Sequence, residues 1–221
     1  MRKIIGIGET VLDIVFKDEQ PIGAYPGGST FNAIISLARA GVSCTFIGET
    51  GNDRIGRHIK SFLEENGVEA SNVRAFHETK SSLSLAFLDS NNDAEYIFYK
   101  DHPHDQLDFI CPDIQPDDIV LIGSFYAVNP VIRTQIVGLL EHARRRGAII
   151  YYDVNFRPSY QNEVMKITPN LIENLEYADI VRGSHEDFKV LYKQDNPDKV
   201  YKSEISFYCK KLIYTCGAAP V

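Results

Sequence analysis

GGSTFNAIISLARAGVSCTFIGETGNDRIG, residues 27–56, is the stretch that decides the fold. Within it Phe31, Ile34, Ile35 and Ala38 recur at helical spacing, which predicts a helix over residues 29–40 that Gly41 ends. Cys44–Gly48 is a short apolar run and predicts a buried strand. Ile55, Ile59, Phe62 and Leu63 restart the helical period over residues 54–66, with Gly67 as the stop. Strands separated by amphipathic helices imply a parallel sheet covered on both faces.

The alternation extends in both directions. Lys3–Gly8 is short, β-branched and closed by glycine, a buried strand. Further strands are expected over 118–123, 148–152, 179–181 and 211–215. Helices are expected over 130–146, 169–177 (entered through Thr168), 184–192 and 197–209. The middle of the chain differs. Leu83, Leu85 and Phe87 alternate onto one face, residues 95–100 are rich in aromatics, and the turn formers of residues 89–93 separate the two runs. That is an antiparallel hairpin with one apolar face. The expected architecture is one α/β domain over residues 1–221, a three-layer α/β/α sandwich with a mostly parallel central sheet. A small β-sheet lid would come mainly from residues 14–26 and 72–100. No helical pattern follows the last strand, so the domain is expected to be C-terminally incomplete.

Charge narrows the partners. With 23 basic and 30 acidic residues the formal net charge is −7, which argues against a nucleic-acid surface. The densest basic run, Arg144–Arg146, ends a helix before Gly147, where cations complement the helix dipole. Cys44, Cys111, Cys209 and Cys216 form neither a CxxC nor a zinc spacing and read as reduced thiols. The first residues resemble a signal peptide only superficially, because Glu9 and Asp13 interrupt the apolar stretch. No segment approaches the roughly 18 apolar residues of a membrane span. A cytoplasmic protein without membrane or nucleic-acid partners is expected.

Several motifs remain. Gly6-Ile7-Gly8 invites a dinucleotide reading, but the third glycine of that fingerprint would fall on Val11. Gly23–Gly28 and Gly51–Gly56 have the glycine spacing of a P-loop without its lysine. Gly27 and Gly28 at the mouth of a helix expose backbone N–H groups, and Asn32 in its first turn can donate and accept together, as a sugar hydroxyl requires. The bland alternative is a tight turn with a serine cap. Asp13 follows a buried strand, where open α/β sheets bind ligands, or it is a solvated loop acid. Asp53 could be no more than a helix cap. His102 and His104 suggest a metal pair, but no acidic or cysteine partner lies at ligand spacing, which favours a structural loop.

In order and spacing these pieces resemble one family. Gly8…Asp13, GGSTFN at 27–32, GETGNDRIG at 48–56, YIFYK at 96–100, DVNFR at 153–157, ADIV at 178–181 and Thr215-Cys-Gly217 are similar to the signatures of the ribokinase-like (PfkB) carbohydrate kinases. Within that family the chain looks most like bacterial fructokinases.

The resemblance implies roles. Asp13, Gly27, Gly28 and Asn32 match contacts to sugar hydroxyls, and Phe98 and Lys100 match lid residues that close over the sugar. Asn155 and Arg157 fall near the sugar or the transferred phosphate. Ser184 and Asp187 stand where the family commonly has Asn-x-x-Glu, acting around Mg²⁺ and phosphate, with Asp187 the candidate metal ligand. The same pair is also an ordinary capping-box start. Thr215 and Gly217 match the start of a nucleotide-binding turn. Lys100 replaces a frequent arginine, Pro220 a frequent glycine, and the family's Gly-Ala-Gly-Asp motif is absent. The implied activity is ATP-dependent phosphorylation of a sugar's primary hydroxyl, most of all fructose, with Mg²⁺ and a monovalent cation such as K⁺. The catalytic base is expected beyond Val221, leaving this chain inactive alone. The alternatives are a kinase for 2-keto-3-deoxygluconate, ribose or a nucleoside, and a non-catalytic sugar-binding protein. The lid's apolar face implies a homodimer.

Overall fold

A computed structural model describes residues 2–90, 92, 94–100 and 109–217. Among them the sandwich forms as expected. Strands β1 (Lys3–Ile7), β2 (Val11–Lys17) and β3 (Gln20–Gly27) lead into helix α1 (Ser29–Arg39). Strand β4 (Ser43–Gly51), helix α2 (Arg54–Glu65) and the short strands β5 (Val68–Glu69) and β6 (Val73–Phe76) follow. Then come β7 (Leu83–Leu88), β8 (Ala94–Tyr99), β9 (Ile119–Gly123), α3 (Ser124–Val128) and α4 (Arg133–Arg146). The last third holds β10 (Ile149–Asp153), α5 (Val164–Tyr177), β11 (Ile180–Ser184), α6 (His185–Tyr192), α7 (Pro197–Val200) and β12 (Leu212–Thr215).

Among the described residues the main sheet runs β12-β11-β10-β9-β1-β4-β5, with β6 also paired to β4, and every pairing in it is parallel. Parallel strands need crossovers, so helices cover both faces. On one side Phe31, Ile34 and Ile35 of α1 pack with Ile59 and Leu63 of α2 against Phe46. On the other, Ile136 and Leu140 of α4 and Leu171 and Leu175 of α5 pack against Ile122, Ile150 and Val181. The fully buried side chains are those the helical periods select.

The second sheet, β3-β2-β7-β8, stands apart from the first. β7 and β8 pair antiparallel, as the hairpin reading requires, and β2 pairs parallel to β7. The expected lid boundary at residue 72 moves. Val73–Phe76 pairs with Gly48–Gly51 in the main sheet, and the lid's second segment begins at Leu83. Its first segment begins at Val11 and ends at Gly27.

Three helix boundaries differ from the expectation. Residues 124–128 form α3, a short helix without a sequence signal, and Pro130–Ile132 is a 3₁₀ turn before α4. α5 begins at Val164 and carries Pro169 inside it. Pro169 gives up a bond to the Met165 carbonyl, but Met165 is 86% exposed, so water can take that place. Residues 197–209 break into α7 and a π-helical turn at Tyr201–Ile205. Gly147 closes α4 with φ 76°, behind the arginines 144–146. Among the described residues no helix is long and apolar enough to cross a membrane.

Candidate functional site

The carboxyl ends of β1, β9 and β10 open beneath the lid. A cleft of about 110 Å³ lies there, and Asp13, Gly28, Asn32, Phe98, Asn155 and Arg157 all line it. Six of the eight residues expected at a sugar therefore share one cavity. Gly27 adjoins it: a Cβ there would lie 2.3 Å from the Asp13 carboxylate. Gly28 has φ 126°, and a Cβ on it would meet the Glu9 carbonyl at 2.4 Å. Both glycines are needed for close approach, and Gly28 itself stands at the N-cap of α1 without a side-chain cap. The serine-cap alternative is not what forms.

Asp13 is held from the lid. It sits on β2 opposite Ser84 of β7, whose hydroxyl donates to its carboxylate. Burial raises the Asp13 pKa above its ordinary value, opposed by the Ser84 bond, reinforced by Glu9 and opposed again by Arg157. The carboxylate is thus desolvated yet faces a guanidinium across the cleft. It is suited to accept from hydroxyls that replace its lost water. Arg157 also stands 5.9 Å over the Tyr96 ring.

Lys100 ties lid to base. Its ammonium donates to Glu9 at 2.5 Å and to the Tyr160 hydroxyl at 2.8 Å, and lies 4.8 Å over the Phe98 ring. Burial works against that charge, but Glu9 and Tyr160 outweigh it and hold the Lys100 pKa above its usual value. Tyr160 in turn stacks on Phe125 at 4.3 Å. Lysine here makes two point contacts where a guanidinium would bring a planar fork. Two cleft residues occupy left-handed backbone: Ser124 (φ 59°) after β9 and Asn155 (φ 33°) after β10. Such conformations cost energy and cluster at ligand sites.

The residues expected at nucleotide and metal lie further along the sheet. Ser184 and Asp187 form a reciprocal capping box on α6. One Asp187 oxygen accepts from the Ser184 backbone and hydroxyl (2.6 and 2.8 Å), and the other from the Phe156 N–H (2.7 Å). Both oxygens are engaged in holding α6 to the loop after β10. The pair therefore does not fit a metal as it stands, and no cluster of three acidic, histidine or cysteine side chains occurs among the described residues. Thr215 accepts from Arg182 at 3.2 Å, and Arg182 also donates to both oxygens of Asp153 at 3.0 and 3.2 Å. Burial, opposed by Arg182, leaves the Asp153 carboxyl above the usual range. Gly217 has φ 57°, a turn conformation. Pro220, His102 and His104 lie outside the described residues. Asp53 caps α2 through the Gly56 N–H at 2.8 Å, and accepts from the Ser81 N–H and hydroxyl at 2.9 and 2.7 Å.

Sequence reasoning missed Glu9, Ser84, Ser124 and Tyr160. No local signal marks them: Glu9, Ser84 and Tyr160 act on residues brought up from far along the chain, and Ser124 is set apart only by its backbone conformation.

A parallel α/β sandwich whose strand ends carry a polar cleft beneath a β lid defines a class of small-molecule kinases and binding proteins. Comparison with known families settles which. The pfkB family carbohydrate kinase profile matches residues 1–221, and the chain belongs to that family. A 5-dehydro-2-deoxygluconokinase of Geobacillus thermodenitrificans is 30% identical over 207 residues, covering 87% of this chain and 60% of the relative. A probable chloroplastic fructokinase of Arabidopsis thaliana is 25% identical over 229 residues, covering 97% and 59%. The chain thus spans about 60% of the length of such relatives. Among solved structures, aminoimidazole riboside kinase from Salmonella enterica, complexed with aminoimidazole riboside and an ATP analogue, superposes with TM-score 0.83 at 21% identity, covering 98% of this chain and 71% of that one. A double mutant of Vibrio cholerae fructokinase with fructose, ADP and potassium gives 0.84 at 20% identity, covering 99% and 71%. These likenesses show a ribokinase-like fold.

Proposed function

We propose that the whole protein transfers a phosphoryl group from ATP to the primary hydroxyl of a small sugar, and that the cleft under the lid binds that sugar. The observation that carries this reading is the convergence of Asp13, Asn32, Asn155 and Arg157 in one cavity of a pfkB-family chain. Asp13 and Asn32 hold hydroxyls, and the lid excludes water as it closes. Arg157 sits where it can meet the acceptor or the transferred group. Phosphoryl transfer further needs a base and stabilisation of charge on phosphate. We assign neither to a residue among those described.

Fructose is the reference acceptor, because the chain is similar to fructokinases, while its similarity to 5-dehydro-2-deoxygluconokinases makes a sugar acid the second candidate. ATP as donor is supported by the nucleotides in the solved neighbours, one of which also holds potassium. Asp187, with its oxygens bonded to Ser184 and Phe156, is not proposed as a Mg²⁺ ligand. A cytoplasmic setting belongs to the same reading. So does a homodimer through the lid: Leu12, Ile14 and Phe16 lie opposite Leu83, Leu85 and Phe87 on the face turned away from Asp13.

A sugar-by-sugar screen of the whole protein with ATP, read as ADP release, tests the proposal. Fructose, ribose, 2-keto-3-deoxygluconate and a nucleoside are the acceptors to compare. Acceptor-dependent turnover with any of them supports it, and ADP release independent of every acceptor refutes it.

A further inference from the structure

Two of the side chains that line the cleft, Asn155 and Arg157, come from the loop after β10. They alternate with Val154 and Phe156, which are 3% and 5% exposed and belong to the core under α4 and α5. The loop is therefore anchored by one set of residues and presents the other to the ligand. Asn155 has φ 33°, a conformation that a residue other than glycine keeps only where its surroundings impose it.

The backbone bonds impose it. The Val154 N–H donates to the Arg182 carbonyl at 2.9 Å, the Asn155 N–H to the Asp153 carboxylate, and the Phe156 N–H to Asp187 at 2.7 Å. Three successive donors are thus committed to β11, β10 and α6. Asp153 is itself held by Arg182 at 3.0 and 3.2 Å. The second Asp187 oxygen accepts from the Ser184 N–H and hydroxyl, and the residue is 5% exposed. A metal ion could reach this carboxylate only if it turned from Ser184 or Phe156 and left a buried N–H unpaired.

We propose that Asp187 is a positioning residue for the acceptor site, in place of the metal role that the family resemblance implies for it. By holding the Phe156 N–H it fixes Asn155 and Arg157, on either side of Phe156, where they meet the sugar. Asp187 is not among the described residues that line the cleft, so its effect on the sugar passes through the loop. This rests on the cleft being the sugar site and adds what keeps that site in shape.

Calorimetric titration of the whole protein in EDTA, without nucleotide, tests it, with fructose and 2-keto-3-deoxygluconate as probes. Asp187→Ala should weaken the tighter-binding probe by roughly three- to thirtyfold. Asp187→Asn, which puts an amide donor against the Ser184 N–H, should lose affinity in the same direction and serves if the alanine variant does not fold. Ser184→Ala removes the helix cap but leaves the Phe156 bond. It should lower the melting temperature by a few degrees without changing probe affinity. The ratio of ATP affinities with Mg²⁺ and with EDTA should be the same in the Asp187 variant as in the wild type. Unchanged probe affinity in the Asp187 variant, or an equal loss in Ser184→Ala, would overturn the positioning role and leave Asp187 a helix cap. A fall in the Mg²⁺ ratio would return Asp187 to the metal and overturn it as well. Asp13→Ala separates the two readings. If it weakens the probe while the Asp187 variant does not, only the positioning role falls; if it weakens neither probe, the sugar site falls and this role with it.

Discussion

Asp13 is a carboxylate kept partly out of water by the lid that carries it, and its pKa is raised, burial being the largest cause. The folded protein therefore binds a proton at Asp13 more readily than the unfolded chain does. Stability attributable to this group is highest at low pH and is lost as pH rises from the ordinary carboxylate value through the raised one. Asp13→Asn should melt higher than the wild type at neutral pH, with an advantage that shrinks as pH falls through that window. Melting curves from pH 4 to 7 check it, and an advantage independent of pH would contradict it. A site residue that destabilises its own fold is expected where ligand hydrogen bonds compensate. The sequence pointed to Asp13 and Asn32 through their places beside a strand end and a helix mouth, and to Phe98, Asn155 and Arg157 only through the family resemblance. It was silent on Glu9 and Tyr160, because Lys100 reaches them across 91 and 60 residues.

At the scale of elements, the joint between β4 and α2 shows how one side chain holds several pieces. Asp53 accepts from Gly56 in its own helix and from Ser81 in the segment leading to the lid. Burial raises its pKa, but the Ser81 and Gly56 bonds more than offset that and hold it below the ordinary value. Its contribution is present in full above that ordinary value and is lost as pH falls through the depressed one. Asp53→Ala should cost about 1–2 kcal/mol at neutral pH, a fall of several degrees in Tm. The deficit should narrow in acid, and thermal melts at pH 7 and pH 3 measure both. Elements with a strong period, such as α1 and α2, were legible almost to the residue. α3 was not, since five residues entered through a left-handed serine carry no period. Prolines misplaced two helix starts. Pro130 opens a 3₁₀ turn and Pro169 sits inside α5, so neither marks the first turn of the helix it was read to start. β6 went to the main sheet because its partner is fixed by register with β4, which its own four residues do not encode.

The whole molecule is a sandwich with a lid whose two faces differ. One face carries Asp13, Ser84 and Phe98 toward the cleft, and the other carries Ile14, Phe16, Leu85 and Ile97 outward. Ile97 and Tyr99 on that outer face are 44% and 58% exposed. Burying side chains of this size is worth roughly 1.5–3 kcal/mol each, enough to drive association of two lids. Sedimentation should find a wild-type dimer and a Leu85→Asp monomer; a monomeric wild type at high concentration would leave the lid as a cover alone. The three layers could be read from alternation, but which lid face meets the sheet depends on how two distant hairpins pair.

The central claim, that the cleft beneath this lid holds a sugar through Asp13, is tested most directly by calorimetric titration of the acceptor sugar into the whole protein and its Asp13→Ala variant. Each hydrogen bond to a charged acceptor is worth about 1.5–3 kcal/mol, so affinity should fall at least about tenfold per bond lost. ATP affinity should hold, because the nucleotide turn proposed at Thr215 and Gly217 follows β12, an edge strand of the main sheet. Equal sugar affinity in the two proteins would contradict the account.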